Sequence, residues 1–173
     1  LKKELNRIKE VGIKVHLGKK VDQALFKTIY NNHDAVVIAT GAHTPRKLPF
    51  SGSEYVIGGV DFLKEINRGH APNLSGQNVV IIGAGNVGMD IATQAFNCGA
   101  KTVTAVDIQP PASFGKEREA AERLGTKILY PKVTEKYDYK NKKIWFTDGS
   151  SLPADTVFIS IGETPELSFL PPD

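Results

Sequence analysis

The sequence has little cysteine and no long apolar run, and each shortage excludes a class of protein. Its single cysteine, Cys98, cannot form a disulfide within the chain, and no cysteine cluster exists to hold zinc or an iron–sulfur centre. No apolar stretch approaches the roughly 20 residues that a membrane-spanning helix needs. The four histidines are scattered and none pairs with a carboxylate at metal-ligand spacing. We therefore expect no disulfide, no metal site and no membrane span.

The ends and the charge of the chain also limit its partners. The first residues, Leu1-Lys2-Lys3-Glu4, provide neither an initiator methionine nor the apolar segment of a secretion signal, so we expect a piece of a longer cytoplasmic protein. The 173 residues are 40% apolar and 24% charged, which is typical of one folded domain. The net charge of +3 comes from a basic excess in residues 1–20, a stretch without aromatic side chains on which bases could stack. Nucleic acid is therefore not an expected partner.

The first part of the chain alternates short helical and extended patterns. Apolar residues at helical spacing predict helices over residues 1–11, 22–31 and 60–68. Alternating polarity predicts a strand over residues 13–17. A continuous apolar run predicts a strand buried on both faces over residues 34–39. The prolines and glycines between these segments indicate connecting chain.

From residue 78 onward the chain alternates buried strands with amphipathic helices. The pattern predicts strands over 78–82, 101–107, 127–130 and 155–161, with helices ending near Cys98 and spanning Ser113–Leu124. Residues 133–152 predict two or three short antiparallel strands instead. We therefore predict an α/β fold, a Rossmann-type parallel sheet with flanking helices and a small antiparallel meander insertion.

A glycine pattern, Gly83-x-Gly85-x-x-Gly88, lies between the first of these strands and its helix. The first glycine permits a tight turn, the second lets a pyrophosphate approach the backbone, and the third lets the helix pack closely. The helix start adds free N–H groups and a positive dipole end. We predict that the pyrophosphate of a nicotinamide dinucleotide is held by Gly83, Ala84, Gly85, Asn86, Val87 and Gly88. A tight turn without a ligand is the alternative.

An acidic residue, Asp107, ends the next strand, 19 residues after Gly88. A carboxylate there can accept hydrogen bonds from both hydroxyls of the adenosine ribose and would repel a 2′-phosphate. The predicted cofactor is therefore NAD, with NADP disfavoured, and Ile108 and Lys116 are predicted to border the site. Lys116 and Arg118 would offset part of the repulsion of a phosphate. A solvated acid at a strand end is the alternative.

Three motifs of the chain, in the order in which they occur along it, resemble those of a known family. Residues 83–90, GAGNVGMD, resemble the pyridine-nucleotide motif of flavoproteins of the glutamate synthase small-subunit type. The same module occurs in dihydropyrimidine dehydrogenase and related ferredoxin-linked enzymes. Residues 39–46, ATGAHTPR, resemble the segment that joins the flavin domain to the nucleotide domain, and residues 154–165 resemble the return crossing.

The resemblance implies a division of the chain. Residues 1–48 would be a partial FAD-domain segment, residues 49–162 the NAD(P)-binding Rossmann domain, and residues 163–173 the return segment to the rest of the FAD domain. Thr40 and Gly41 would lie near the FAD junction, and Gly162 and Glu163 would line the nicotinamide end. FAD would be bound only in the full-length parent, because the two flavin-binding motifs of the family are absent from this sequence.

The resemblance also implies a function. Members pass hydride between NAD(P)H and FAD, a step that needs positioned cofactors rather than acid–base groups, so we predict no catalytic residue and an inactive isolated chain. Iron–sulfur or glutaminase domains or subunits are the implied partners. NADPH-using members carry two arginines just after the second strand, where this chain has Ile108 and Gln109. A non-catalytic dinucleotide-sensing regulatory domain is the alternative function.

Overall fold

The computed structural model describes residues 2–171, which form two compact units. The first unit contains the described residues up to Gly41 together with those from Glu166 onward, and the second unit is Ala42–Pro165. The predicted division after residues 48 and 162 is based on flavin and nucleotide binding rather than on compactness. It stays a prediction.

The first unit is built on two helices, α1 (Lys2–Glu10) and α2 (Gln23–Asn31). α2 begins where the Asp22 carboxylate accepts a hydrogen bond from the N–H of Leu25 at 2.8 Å, which satisfies a donor that the first helical turn leaves free. The Phe26 ring on this helix lies 5.6 Å from the ring of Phe169. This contact joins the two chain segments of the unit.

Two predicted strands do not form in this unit. Residues 13–17 and 34–39 have no strand structure, and Leu17 and Val37 are 86% and 88% exposed. A strand exists through hydrogen bonds to a neighbouring strand, and the described residues of this unit provide no such neighbour. The prediction was wrong because an apolar pattern indicates a capacity for burial and says nothing about a pairing partner.

The second unit contains the remaining elements. Its strands are β1 (Thr44–Pro45), β2 (Ile57–Gly58), β3 (Asn78–Ile82), β4 (Thr102–Val106), β5 (Lys127–Leu129), β6 (Thr134–Asp138), β7 (Lys143–Phe146), β8 (Ser151–Pro153), β9 (Thr156–Ile159) and β10 (Glu163–Thr164). Its helices are α3 (Gly59–Asn67), α4 (Asn86–Asn97) and α5 (Gly115–Arg123). Five strands form a parallel sheet in the order β2-β9-β3-β4-β5.

The sheet is buried on both faces, as alternation along β3 makes clear. Val79 and Ile81 point into a core cluster with side chains of α3, α4 and α5, whereas Val80 and Ile82 point into a second cluster with the meander β6-β7-β8. β7 lies at the centre of that antiparallel meander. The predicted Rossmann-type sheet with flanking helices and a small antiparallel insertion is confirmed.

One predicted helix start is corrected by the structure. α5 begins at Gly115 rather than at Ser113, because the backbone N–H of Ser113 donates to the carbonyl of Ala84 at 3.2 Å. Ser113 is therefore fixed against the turn that follows β3 and does not cap the helix.

Candidate functional site

The turn between β3 and α4 requires glycine at two positions for steric reasons. Gly83 has φ +107°, and a Cβ there would lie 2.1 Å from the carbonyl oxygen of Ser160. A Cβ on Gly88 would lie 2.3 Å from the carbonyl oxygen of Gly83, so α4 packs directly on the turn. Both glycines are needed by the fold itself.

Gly85 has no such structural reason to be glycine. Its φ of −79° is open to any residue, and a Cβ there would meet nothing within 4 Å. The space in front of Gly85 is also the space in front of the first turn of α4, whose free N–H groups and dipole favour an anion. A glycine that no neighbouring atom requires, facing open space at a helix start, fits the close approach of a phosphate.

Asp107 lies directly after β4 and faces the turn. Its Oδ2 accepts a hydrogen bond from the N–H of Ala84 at 2.8 Å, and its Oδ1 accepts one from the N–H of Gln109 at 3.3 Å. The side chain is half-buried, and the carboxylate has further lone pairs for a ligand hydroxyl. Asp107 therefore fixes the glycine turn and keeps lone pairs for a further hydrogen-bond donor.

The other predicted residues of the turn support it from behind. Asn86 Oδ1 accepts a hydrogen bond from the N–H of Phe114 at 2.9 Å, which ties α4 to the loop before α5. Val87 packs against the core cluster on the helical side of the sheet. These contacts hold the loop after β4 against the start of α4.

A cavity of about 850 Å³ opens at the carboxyl ends of the parallel strands, where α/β sheets bind ligands. It brings together five of the predicted residues, which are Gly83, Gly85, Asp107, Ile108 and Gly162. Ile108 is 66% exposed at its rim. The sequence thus anticipated residues from three strand ends that the fold assembles around one cavity.

Four predicted residues lie elsewhere. Lys116 is on the first turn of α5 and does not line this cavity. Glu163 belongs to β10, where it pairs with Pro45 of β1. Thr40 and Gly41 belong to the first unit. Their predicted roles at a phosphate, a nicotinamide and a flavin stay predictions.

The cavity also has wall residues that the sequence reasoning missed. Lys132 lies in the loop between β5 and β6, Thr134 begins β6, and Arg46 follows β1. Thr134 is 9% exposed, and its Oγ1 has no hydrogen-bond partner among the described residues. Only Lys132 had a signal in the sequence, because residues in the loop after a parallel strand collect at one sheet edge. Arg46 follows an antiparallel strand and Thr134 begins one, so this rule did not identify them.

Lys132 is held in place by the meander. Its Nζ donates to Asp148 Oδ2 at 2.5 Å and to Ser150 Oγ at 2.7 Å, and it lies 5.4 Å from the centre of the Phe146 ring. The hydrogen bond from this ammonium holds the pKa of the Asp148 carboxyl well below its usual range. The charge of Lys132 is thereby compensated before any ligand arrives.

Taken together, the wall residues fit a nicotinamide dinucleotide. The open space at Gly85 suits a pyrophosphate, and Asp107 can accept a hydrogen bond from a ribose hydroxyl. The buried hydroxyl of Thr134 has no hydrogen-bond partner among the described residues and can bond to a ligand. By contrast, residues 2–171 contain no group of three or more side chains able to hold a metal ion. Within the same residues no helix has the length and apolar character to cross a membrane.

Comparisons with known proteins agree with this geometry. A family model described as pyridine nucleotide-disulphide oxidoreductase matches residues 2–172. The chain is 29% identical to the beta subunit of an NADP(+)-dependent formate dehydrogenase from Moorella thermoacetica, over 96% of this chain and 28% of that protein. It is 31% identical to a putative NADPH glutamate synthase small chain from Cereibacter sphaeroides, over 74% of this chain and 34% of that protein. These matches confirm the resemblance that the three motifs indicated.

A solved structure supports the fold alone. The thioredoxin reductase of Lactococcus lactis is 17% identical and superposes with a TM-score of 0.58, over 75% of this chain and 45% of that one. The chain spans about a third or less of the length of each of the two relatives compared by sequence.

Proposed function

Because the chain belongs to the pyridine nucleotide-disulphide oxidoreductase family, we propose that its second unit is the NAD(H)-binding domain of an FAD-dependent oxidoreductase of the glutamate synthase small-subunit type. The observation that carries this proposal is the difference among the three glycines. Two of them meet backbone oxygens, and the third faces open space before α4. The close approach of a ligand gives a steric reason for this third glycine, whose role in the fold itself is limited to the N-cap position of α4.

The residues of the cavity hold and orient the cofactor rather than react with it. The turn at Gly83–Gly88 holds the pyrophosphate, Asp107 holds the adenosine ribose, and the chain after β9 borders the nicotinamide end. When bound, the nicotinamide gives or takes a hydride and FAD is its partner in that exchange. Precise placement is then the protein's main contribution to the rate.

The preference for NAD over NADP rests on the charges near Asp107. A 2′-phosphate beside this carboxylate would be a like charge, and no arginine follows β4 to relieve it. Arg118, which could offset the repulsion, donates to Glu122 at 2.9 Å instead. The ammonium of Lys132 is likewise engaged by Asp148. Relatives named for NADP(+) and for NADH both occur, so similarity to them does not indicate which cofactor is preferred. The proposed preference for NAD rests on these side chains.

The wider setting is proposed from the family. FAD and the rest of its domain would be supplied by the full-length parent. Iron–sulfur or glutaminase domains or subunits would be its partners, and the assembly would be cytoplasmic. Relatives named as subunits support an assembly of this kind. The 173-residue chain alone should bind NADH, stay colourless and fail to reduce a dye acceptor.

Calorimetric titration of the chain with NADH and NADPH tests the proposal. Losing ribose hydrogen bonds to a charged group costs about 1.5–3 kcal/mol, so NADH should bind about tenfold to a few hundredfold more tightly. The triple variant Asp107→Ser, Ile108→Arg, Gln109→Arg should move the preference toward NADPH. Equal affinities in the unmodified chain would refute the NAD assignment, and no binding of either would refute the site.

A further inference from the structure

The cavity at the glycine turn has two cationic side chains on its wall, Arg46 and Lys132. The ammonium of Lys132 is compensated by Asp148 at 2.5 Å. Arg46, in contrast, forms no ion pair with any residue that the structure describes. One positive charge of this cavity is therefore available to a ligand.

The backbone fixes Arg46 at this place. β1 pairs with β10, and the N–H of Arg46 donates to the carbonyl of Gly162 at 3.1 Å. The Arg46 side chain lies over Gly162, since a Cβ on that glycine would have Cδ and Nε of Arg46 as its nearest atoms, each at 3.9 Å. The Ser160 carbonyl, two residues earlier, lies against Gly83 of the turn. Arg46 and the start of the turn therefore line the same cavity, with residues 160–162 between them.

The charges at the site leave a bound pyrophosphate without enough positive charge unless a cation is nearby. A dinucleotide pyrophosphate carries two negative charges, while the N-terminus of α4 supplies only the equivalent of about half a positive charge. Asp107 adds a negative charge on the same cavity wall. A guanidinium presents a planar fork that matches two phosphate oxygens.

We propose that Arg46 is the residue that pairs with the pyrophosphate of the bound dinucleotide, an inference that rests on the proposed function. Arg46 is then a binding residue that comes from the segment entering the second unit, far in sequence from the glycine motif. Its charge, rather than the turn alone, sets the affinity for the diphosphate.

The variant Arg46→Gln in the 173-residue chain tests this inference. Affinities for NADH, ADP-ribose and adenosine are measured by calorimetry or by NMR titration. The variant should bind NADH and ADP-ribose about tenfold more weakly, by the same factor for both, because both ligands carry the diphosphate. Binding of adenosine, which has no phosphate, should not change. NADH binding by the variant should also depend less steeply on salt.

A matched control removes the neighbouring charge. Lys47→Gln alters an exposed residue of the same segment that lines only the neighbouring cavity, which Arg46 also borders, and it should bind all three ligands as the unmodified chain does. Thermal melting checks that each variant is folded. If Arg46→Gln is unfolded, Arg46→Met carries the same expectation with a side chain of similar length.

The outcomes separate the two proposals. If the unmodified chain binds ADP-ribose and a folded Arg46 variant binds it equally well, the role of Arg46 is refuted and the proposed function stands. A loss for NADH alone would assign Arg46 to the nicotinamide and also refute the inference. If the unmodified chain binds no dinucleotide, the proposed function and the inference fail together.

Discussion

Adding one methyl group at Gly85 or at Gly88 should separate ligand binding from folding. A methyl group at Gly88 would lie 2.3 Å from the carbonyl oxygen of Gly83, so the start of α4 must move away from the turn. A methyl group at Gly85 would meet no protein atom within 4 Å. Gly88→Ala should therefore damage the fold, and Gly85→Ala should damage only binding.

The magnitudes follow from these contacts. Overpacking at Gly88 should cost about 1–3 kcal/mol, which lowers the melting temperature by about 2–12 °C for a chain of this length. Gly85 is the N-cap of α4, where alanine costs up to about 1 kcal/mol, and a less flexible unfolded chain offsets about 0.4–1 kcal/mol. Stability of Gly85→Ala should therefore stay within about 1 kcal/mol of the unmodified chain.

For NADH binding, the substitutions at Gly85 are the informative ones. A methyl group at Gly85 would hold the pyrophosphate away from the first N–H groups of α4, and losing charge-assisted hydrogen bonds costs about 1.5–3 kcal/mol. The affinity of Gly85→Ala for NADH should fall about tenfold to a hundredfold, and Gly85→Leu should bind no NADH at all.

Thermal melting followed by circular dichroism and calorimetric titration with NADH measure the two effects on the same samples. The unmodified chain is the reference for both. A Gly85→Leu variant that melts normally and binds NADH with full affinity would refute the argument, because the open space at Gly85 would then hold no ligand.

Two further variants probe stability and the cavity wall. Thr134→Val and Thr126→Val each remove a buried hydroxyl that has no hydrogen-bond partner among the described residues, so both should raise the free energy of unfolding by about 1 kcal/mol in chemical denaturation. Only Thr134→Val should also weaken NADH binding, because only Thr134 lines the cavity. Hydrogen bonds from Asn78 lower the pKa of the Asp155 carboxyl. The ionised carboxylate therefore stabilises the fold at pH values above its ordinary pKa of about 3.9. That stabilisation is lost as the pH falls through the lower pKa of the folded state. Asp155→Asn should lose about 1–2 kcal/mol at pH 7 and flatten the pH dependence of unfolding below pH 5. The control Asp61→Asn removes only an exposed ion pair with Lys64 and should cost less than about 1 kcal/mol at pH 7.

The sequence predicted those parts of the site whose physical cause is local. β3, the glycine turn and β4 follow from a buried apolar run, three glycines at fixed spacing and an acid at a strand end. Gly85 and Asp107 could be assigned to one ligand because their spacing is set within a single strand–helix–strand unit.

Other features depend on contacts between distant segments and could not be predicted in this way. Residues 34–39 have the composition of a buried strand, yet Val37 is 88% exposed because the described part of its unit offers no pairing strand. Arg46 and Thr134 lie 37 and 51 residues from Gly83, and only the insertion of β9 between β2 and β3 and the folding of the meander bring them to one cavity.

Amide chemical shifts can show whether a nicotinamide dinucleotide binds at the turn between β3 and α4. A ¹⁵N-labelled 173-residue chain is titrated with NADH and followed by NMR. The largest shifts should occur at the amides of Gly83–Gly88 and Asp107. Saturating NADH that leaves these amides unchanged, or that shifts instead the residues around the separate cavity of Tyr55 and Tyr139, would contradict binding at this turn.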